Sequence, residues 1–422
     1  MIIRFSVENY KSIYKRLDLS FVAESLKQLE DSNLIQTQYS KIKLLKALAL
    51  YGANASGKTN LIKALDFMRD FVLTSAVQSH SKRVINLEPY KLLLKSQKEP
   101  TLFEIDFVVF ENRYRYGFVI DKYKVHKEYL FSVLKTTEKL LFQRMESEIE
   151  CGISFSEGHG KESFIKPTTL FLSTLAQLNA TLSSNIIEWF TNLTIITDYN
   201  YPSFTGYTAK LIQEQKHRDF ILKVFNAAGL DFEDVDIKTV NIDDNLMQFL
   251  SLDLRDLVKR NLPQQLQVFT RHKVYDLSGQ EVDVVDFDLK EESAGTQKFF
   301  AIAGPIINSL LNGYPIVIDE MDARLHFKLV HFLVKLYCSN KYNPFGGQLV
   351  FSNHMLDLMD RKLLRRDQIL LVSKTKTGSE ISSIQKEGAR SDTSFKKDYL
   401  GGDFGALPDV ELNQLDLFDK YI

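Results

Sequence analysis

The segment Gly52-Ala53-Asn54-Ala55-Ser56-Gly57-Lys58-Thr59 carries the strongest chemical signal in the chain. It fits G-x-x-x-x-G-K-[ST], the pattern of a phosphate-binding loop. Its glycines let backbone N–H groups approach phosphate oxygens, and a helix starting after the loop adds the positive end of its dipole. Lys58 is placed to reach the β- and γ-phosphates and Thr59 to ligate Mg²⁺. A turn before a helix can match the pattern by chance, but the order strand, loop, helix favours the functional reading. Gly52, Asn54, Ala55, Ser56, Gly57, Lys58 and Thr59 are therefore the candidate site for a nucleoside triphosphate.

A second signal is Pro315-Ile316-Val317-Ile318-Asp319-Glu320. Apolar residues bury a strand, and two carboxylates follow at its C-terminal end, where ligands of open α/β sheets bind. Asp319 is placed to hold Mg²⁺, and Glu320 to polarise water for in-line attack on the γ-phosphate. Such a pair can also simply end a strand and begin a turn. Beside a phosphate loop, two tandem carboxylates favour a hydrolase over a kinase or a regulatory GTPase.

Glu292-Ser293-Ala294-Gly295-Thr296-Gln297-Lys298 opens a predicted helix, with Ser293 as N-cap and Gly295 permitting close approach of another backbone. By itself this is a capped helix start. It stands 319 − 295 = 24 residues before Asp319 and far downstream of the phosphate loop. A second anion-binding helix start in that position would serve the phosphate loop of a second molecule more easily than its own.

These residues need elements to hold them. Residues 1–22 alternate around a polar break and predict paired strands; 44–51 is a short apolar run leading into the phosphate loop; 60–79 has helical spacing. Residues 101–133 predict a β-meander, 135–166 an exposed loop or boundary, and LFLSTLAQLNATL and IIEWF start a mostly helical middle, in which LFLST at 170–174 by itself looks strand-like. Short strands are expected near 235–242 and 282–289. An orderly series follows: helix 296–311, strand 315–319, helix 324–337, strand 347–352.

Composition sets the outer limits. The 422 residues allow two or three domains, or one large domain with insertions. Hydrophobic residues at 44% and charged residues at 25% are those of a globular protein, excluding a mainly disordered or collagen-like chain. Lys+Arg 53 against Asp+Glu 54 excludes a globally basic nucleic-acid coat. With only Cys151 and Cys338, no disulfide framework and no zinc cluster is expected, and a reducing, cytoplasmic location is the simplest reading. The N-terminus does not read as a signal peptide. No run of about 18 apolar residues predicts a membrane span, and no sustained heptad predicts a long coiled coil.

The chain resembles the SMC/RecF/OLD-like branch of ABC ATPases and, within it, the RloA-type proteins of bacterial defence islands. The resemblance rests on IIRFSVENYKSI, YGANASGKTNLIKAL, ESAGTQK, VIDEMDARLHF, FSNHMLDLMD and YLGGDFGALP, which run in the family's order from residue 2 to 408. It implies that Ser293 and Gly295 are a signature motif contacting γ-phosphate across a dimer. Residues 321–326 would be the D-loop at the same interface, and His354 a switch histidine touching γ-phosphate. Asn9, Tyr10 and Lys11 resemble a motif near nucleotide or DNA, with an exposed turn as the alternative. The signature departs from the transporter pattern at Ala294 and Thr296, and His326 replaces the usual D-loop aspartate. For the Q-loop, Gln177 and then Gln143 are candidates, each equally readable as a surface glutamine.

The expected fold is therefore α/β: an ABC-type, P-loop ATPase head of two lobes with a helical and mixed insertion. Residues 1–135 would form the phosphate-loop lobe with an antiparallel sheet, 136–289 the insertion, and 290–422 the lobe with signature, Asp319-Glu320 and switch. The resemblance implies ATP and Mg²⁺, a homodimer or larger homo-oligomer closed around ATP, and a separately encoded effector in anti-phage defence (abortive infection). A RecF-like DNA-repair ATPase is the alternative, so contact with DNA stays open; a self-contained P-loop kinase is a third reading. The basic groups Arg361, Lys362, Arg365 and Arg366, with Lys11, Lys15 and Arg16, read as solvated faces or a DNA-backbone site. The acidic run Asp231, Glu233, Asp234, Asp236, Asp243 and Asp244 reads as a solvated face rather than a nuclease centre. Trp189 reads as core.

Overall fold

A computed structural model of the chain describes residues 1–36, 42–77, 84–230, 232–240, 265–390 and 392–404. Asp231, Asp243 and Asp244, and the tail motif after residue 404, lie outside them. The chain divides into two units. One comprises Met1–Ile195, Gly313–Glu320 and Val334–Ile422, the other Ile196–Asn312 and Met321–Leu333.

The first unit is built on two large sheets, with a two-stranded pair formed by Leu34–Gln36 and Lys43–Leu45 in addition. Seven antiparallel strands run in the order Glu148–Cys151, Thr137–Met145, Val125–Leu134, Asn112–Ile120, Thr101–Val109, Ile2–Glu8 and Leu17–Ser20. The paired strands expected over 1–22 and the meander expected from 101 are both present. The exposed loop or boundary expected from 135 is instead two further strands. Thr137–Met145 has little apolar alternation because only Leu141, Phe142 and Arg144 are buried along it.

The second sheet has the order Thr194–Ile196, Pro315–Ile318, Gln348–Ser352, Ala47–Tyr51, Ile369–Thr375 and Gly378–Ser383. From Pro315–Ile318 to Ile369–Thr375 its strands are parallel, with Ile318 opposite Phe351 and Ser352 opposite Leu50. Every residue of Ala47–Tyr51 and Gln348–Ser352 is buried, which is why both read as unbroken runs rather than alternations. The helix Lys58–Thr74 buries Leu61, Leu65, Met68 and Val72, and its Phe67 stacks on Phe103 at 5.1 Å. Gln348 ties the two sheets together: its Oε1 accepts from the Ile2 N–H at 2.5 Å and its Nε2 donates to the Ile2 carbonyl at 2.9 Å. Trp189 is core, 4.5 Å from Phe107.

Charge is buried in the antiparallel sheet with its partners supplied. Glu104 accepts from Tyr129 (2.6 Å), Arg16 (2.6 Å) and Arg115 (2.8 Å). Burial alone would raise its pKa, but these three donors outweigh that and hold it below the usual glutamate value of 4.5. A carboxyl depressed on folding adds stability above its unfolded pKa and loses it as pH falls through the folded one. The unfolding midpoint should therefore drop on acidification below about pH 4.5, and less steeply in Glu104→Gln, as denaturant titrations at stepped pH would read.

The second unit contains the antiparallel sheet Asp234–Val240, Gln265–Tyr275, Glu281–Asp288 and the helices Phe204–Gln213, Gln215–Ala227 and Ala294–Asn312. The middle strand, Gln265–Tyr275, was not anticipated. Of the described acidic residues, Asp234 pairs with Arg218 at 2.6 Å and Glu233 with Lys273 at 3.2 Å. Ala294–Asn312 contains Pro305, which cannot donate to the Ala301 carbonyl four residues back. The Thr208 hydroxyl donates to that carbonyl at 3.0 Å and accepts from the Gly304 N–H at 3.1 Å. The contact needs glycine, since a Cβ on Gly304 would stand 2.5 Å from the Thr208 hydroxyl. Among the described residues, no helix is long and apolar enough to cross a membrane.

Candidate nucleotide site

The phosphate loop joins the C-terminal end of Ala47–Tyr51 to the start of Lys58–Thr74. Its path needs positive φ at Gly52 (146°), Ala55 (61°) and Gly57 (115°), the last being the residue before the helix. A Cβ on Gly52 would lie 2.1 Å from the Val372 carbonyl, and one on Gly57 2.1 Å from the Ser379 hydroxyl. Both glycines are thus fixed by crowding from neighbouring strands as well as by backbone conformation. The Ser379 hydroxyl donates to the Ser56 carbonyl at 2.6 Å and lies 2.9 Å from the Ser12 hydroxyl, which also accepts from Asn60 at 2.9 Å. Three polar side chains from distant parts of the sequence therefore hold the loop's outer wall.

Inside the loop, the Lys58 ammonium is buried and donates to the carbonyls of Gly52 at 2.7 Å and Ala53 at 3.2 Å. The Ser56 hydroxyl is buried with no hydrogen-bond partner. A buried hydroxyl of this kind costs free energy unless something accepts or donates there. A triphosphate fits the loop on those grounds: the cradle excludes side chains, its wall is cationic and it presents an unsatisfied donor. Thr59 is half-buried, while Asn54 and Ala55 are exposed at the loop's tip. Beside the tip opens a cavity of about 350 Å³ lined by Lys11, Ser12, Ala55, Asn60, Tyr90 and Lys374.

Asp319 and Glu320 follow the strand Pro315–Ile318, one strand removed from the phosphate-loop strand. Asp319 is buried and accepts from the Ser352 hydroxyl at 2.5 Å; the same hydroxyl accepts from the Glu320 N–H at 2.7 Å. Glu320 is exposed with φ 47°, a left-handed conformation that is unusual for a side chain of this type. One serine thus fixes both the Asp319 carboxylate and the backbone of Glu320. Asn353 then turns the chain: its Nδ2 donates to the Tyr51 hydroxyl (3.1 Å) and the Met355 carbonyl (2.9 Å), and its Oδ1 accepts from the Met355 N–H (3.0 Å). This turn presents His354 to solvent. The first unit therefore gathers the phosphate loop, Asp319, Glu320 and His354 at the C-terminal ends of adjacent parallel strands.

Ser293 and Gly295 belong to the second unit. The Ser293 hydroxyl accepts from the Thr296 N–H at 3.1 Å, the side-chain cap expected of it. A Cβ on Gly295 would lie 2.8 Å from the Arg324 carbonyl, so the 321–326 loop runs against the helix start. Arg324 adopts φ 66° and donates to the Tyr201 hydroxyl at 3.2 Å.

Several other candidates have structural employment. Asn9 is buried; its Nδ2 donates to the carbonyls of Ser96 and Glu99, both at 2.8 Å, and its Oδ1 accepts from the Tyr90 N–H. Tyr10 packs on Phe103, and Lys11 is paired with Glu88. The exposed turn therefore fails for Asn9 and Tyr10. Arg365 is 0% exposed, paired with Asp367 and donating to the carbonyls of Glu24, Leu26 and Gln28. Arg366 and Arg361 donate to the carbonyls of Ala389 and Asp392. LFLST is not a strand: Phe171–Gln177 is a helix, with Gln177 exposed at its end, and Gln143 is half-buried in a strand. Sequence reasoning missed Ser352, Asn353, Ser379, Ser12 and Asn60. Only Ser352 and Asn353 had a local signal, standing directly before His354.

Residues 47–160 match the protein family described as "AAA domain, putative AbiEii toxin, Type IV TA system". No curated protein sequence matches the chain. Among solved structures, "Crystal structure of the SmcHead bound to the C-winged helix domain of ScpA" is similar over 91% of this chain and 98% of that one, at 13% identity and TM-score 0.43.

Proposed function

We propose that the chain is an ATPase that couples Mg-ATP binding and hydrolysis to association of two copies, and so controls an effector in anti-phage defence. The observation that carries the catalytic part is the single serine, Ser352, holding Asp319 and Glu320 beside a phosphate loop with a buried, unpaired Ser56 hydroxyl. The defence role rests on the resemblance of the motifs and on the family description matched by residues 47–160.

In this reading Gly52, Asn54, Ala55, Ser56 and Gly57 wrap the phosphates, with Lys58 exchanging its two loop carbonyls for phosphate oxygens. Thr59 and Asp319 would hold Mg²⁺, which neutralises charge on the transferred phosphoryl group. Glu320 orients the attacking water and accepts its proton, and His354 donates to the γ-phosphate. The cavity beside Ala55 takes the nucleoside. Ser293 and Gly295 complete the site of a second copy, giving a homodimer or a larger homo-oligomer, and the effector is a separate protein. Direct DNA binding is the weaker reading, because Arg365 is buried and Arg16, Arg361 and Arg366 are committed to internal partners.

Glu320→Gln keeps the side chain's shape and removes the proton acceptor. It should lower turnover about 10²–10⁴-fold while accumulating an ATP-bound dimer, read by light scattering with and without ATP. A variant that hydrolyses ATP at the parental rate, or stays monomeric with ATP where the parent dimerises, would overturn the scheme.

A further inference from the structure

Away from the phosphate loop, Cys151, His159 and Glu162 bring a thiol, an imidazole and a carboxylate together, with one donor atom from each lying within 4.8 Å of the others. Seven residues separate the first pair and two the second. The intervening segment is held at several points. Cys151 ends the edge strand of the seven-stranded sheet and is opposite Phe142. The Gly152 N–H donates to the Leu141 carbonyl at 2.7 Å, in a place where a Cβ would lie 2.2 Å from the Leu140 carbonyl. Phe155 is buried against Phe142 at 5.6 Å. The Glu157 carboxylate accepts from the N–H groups of Leu182 (2.9 Å) and Ser183 (3.0 Å), capping the helix Thr181–Asn192. A Cβ on Gly158 would stand 2.8 Å from the Cys151 sulfur, so the chain passes close over the thiol. The Lys161 N–H then donates to the Gly158 carbonyl at 3.2 Å and leads into the short turn that carries Glu162.

We propose that Cys151, His159 and Glu162 bind a divalent transition-metal cation of zinc's character, stapling residues 152–162 to the sheet edge. The donor set selects the ion: thiolate and imidazole disfavour Mg²⁺ and Ca²⁺ and suit Zn²⁺. Zinc's bond lengths of about 2.3 Å to sulfur and about 2.0 Å to nitrogen bring tetrahedral donors to about 3.5 Å from one another. Donors lying within 4.8 Å of one another reach that separation through rotation of the exposed His159 and half-buried Glu162 side chains. Water takes the fourth position. The thiol must give up its proton to solvent on binding. Cys338, the other cysteine, is half-buried elsewhere, within hydrogen-bonding reach of Gln368, and is not a ligand.

The full chain, stripped of metal, would be titrated with Zn²⁺ against a chromogenic chelator and with Co²⁺ by absorption. The expected result is one equivalent per chain, a thiolate-to-cobalt charge-transfer band that Cys151→Ser abolishes, and at least a tenfold loss of affinity in His159→Ala. Cys338→Ser should bind like the parent. Because His159 is exposed, its variant keeps the fold, which far-ultraviolet circular dichroism would confirm. Hydrogen exchange over 152–164 should slow when Zn²⁺ is added to the parent and not in His159→Ala. Binding of less than one equivalent by the parent, or affinity unchanged in both ligand variants, would overturn the site. Neither outcome bears on ATP turnover, so the two proposals fail separately.

Discussion

Lys58→Ala is expected to lower ATP turnover at least a hundredfold, roughly the loss seen when one charge-stabilising donor is removed from an active site, and to leave the fold standing. The ammonium is the buried cation of the loop and donates to the Gly52 and Ala53 carbonyls. Those carbonyls face the loop's interior, and water can replace the lost donor once the side chain is shortened. The structural cost is therefore that of one or two hydrogen bonds to a charged group, about 1.5–3 kcal/mol each. The functional cost is larger, because no other ammonium in the loop can reach a β- or γ-phosphate. Lys58→Arg should not rescue, since a planar guanidinium does not replace a compact ammonium between two carbonyls. Phosphate release and the unfolding midpoint, measured on the same preparations, separate the two effects. Turnover retained in Lys58→Ala would remove the basis for an ATPase.

The largest effect on stability should come from Glu128→Ala, at about 3–5 kcal/mol, the usual cost of stranding a buried charge. Glu128 is fully buried in the antiparallel sheet and accepts from the Tyr116 hydroxyl (2.9 Å), the Phe171 N–H (2.6 Å) and the Leu172 N–H (3.1 Å). It thereby caps the helix Phe171–Gln177. Arg144, also buried, lies 3.9 Å away and donates to the carbonyls of Thr169 (2.5 Å) and Glu146 (2.7 Å). Deleting the carboxylate leaves a guanidinium without its counter-charge, a tyrosine hydroxyl without its acceptor and a helix start uncapped. Glu128→Gln keeps an acceptor for Phe171 but strands Arg144 equally, so it should cost less than Glu128→Ala by about the 1–3 kcal/mol of one buried unsatisfied donor. Denaturant titration of the three proteins measures this; a loss below about 1 kcal/mol in Glu128→Ala, the worth of one ordinary hydrogen bond, would show that the network is not what holds the sheet to the helix.

The sequence was most legible where structure and chemistry use the same residues. The phosphate loop reads directly, because its glycines answer to a backbone path and its lysine to a charge. Pro315–Ile318 and Gln348–Ser352 read well because strands buried on both faces leave unbroken apolar runs. Thr137–Met145 did not, since its outer face is polar and its inner face carries Arg144, a charge that only a distant glutamate justifies. LFLST misled because Leu170 and Phe171–Leu172 are buried on a short helix of seven residues, too few for its period to show. The Ser12–Ser379–Ser56 clamp was invisible for another reason. It joins residues 367 positions apart, and single hydroxyls carry no pattern.

Ala47–Tyr51 lies between Gln348–Ser352 and Ile369–Thr375 in its sheet, and this has a temporal consequence during synthesis. Its first neighbour is 348 − 51 = 297 residues downstream. At about 5–20 residues per second, a ribosome needs roughly 15–60 s to deliver that neighbour. Through this interval the phosphate-loop strand has both hydrogen-bonding edges bare, while the seven-stranded sheet, complete by Cys151, can already have formed. A nascent chain is thus obliged to shelter five apolar residues until its last third emerges, so slower or truncated synthesis should yield aggregates rather than a smaller folded fragment.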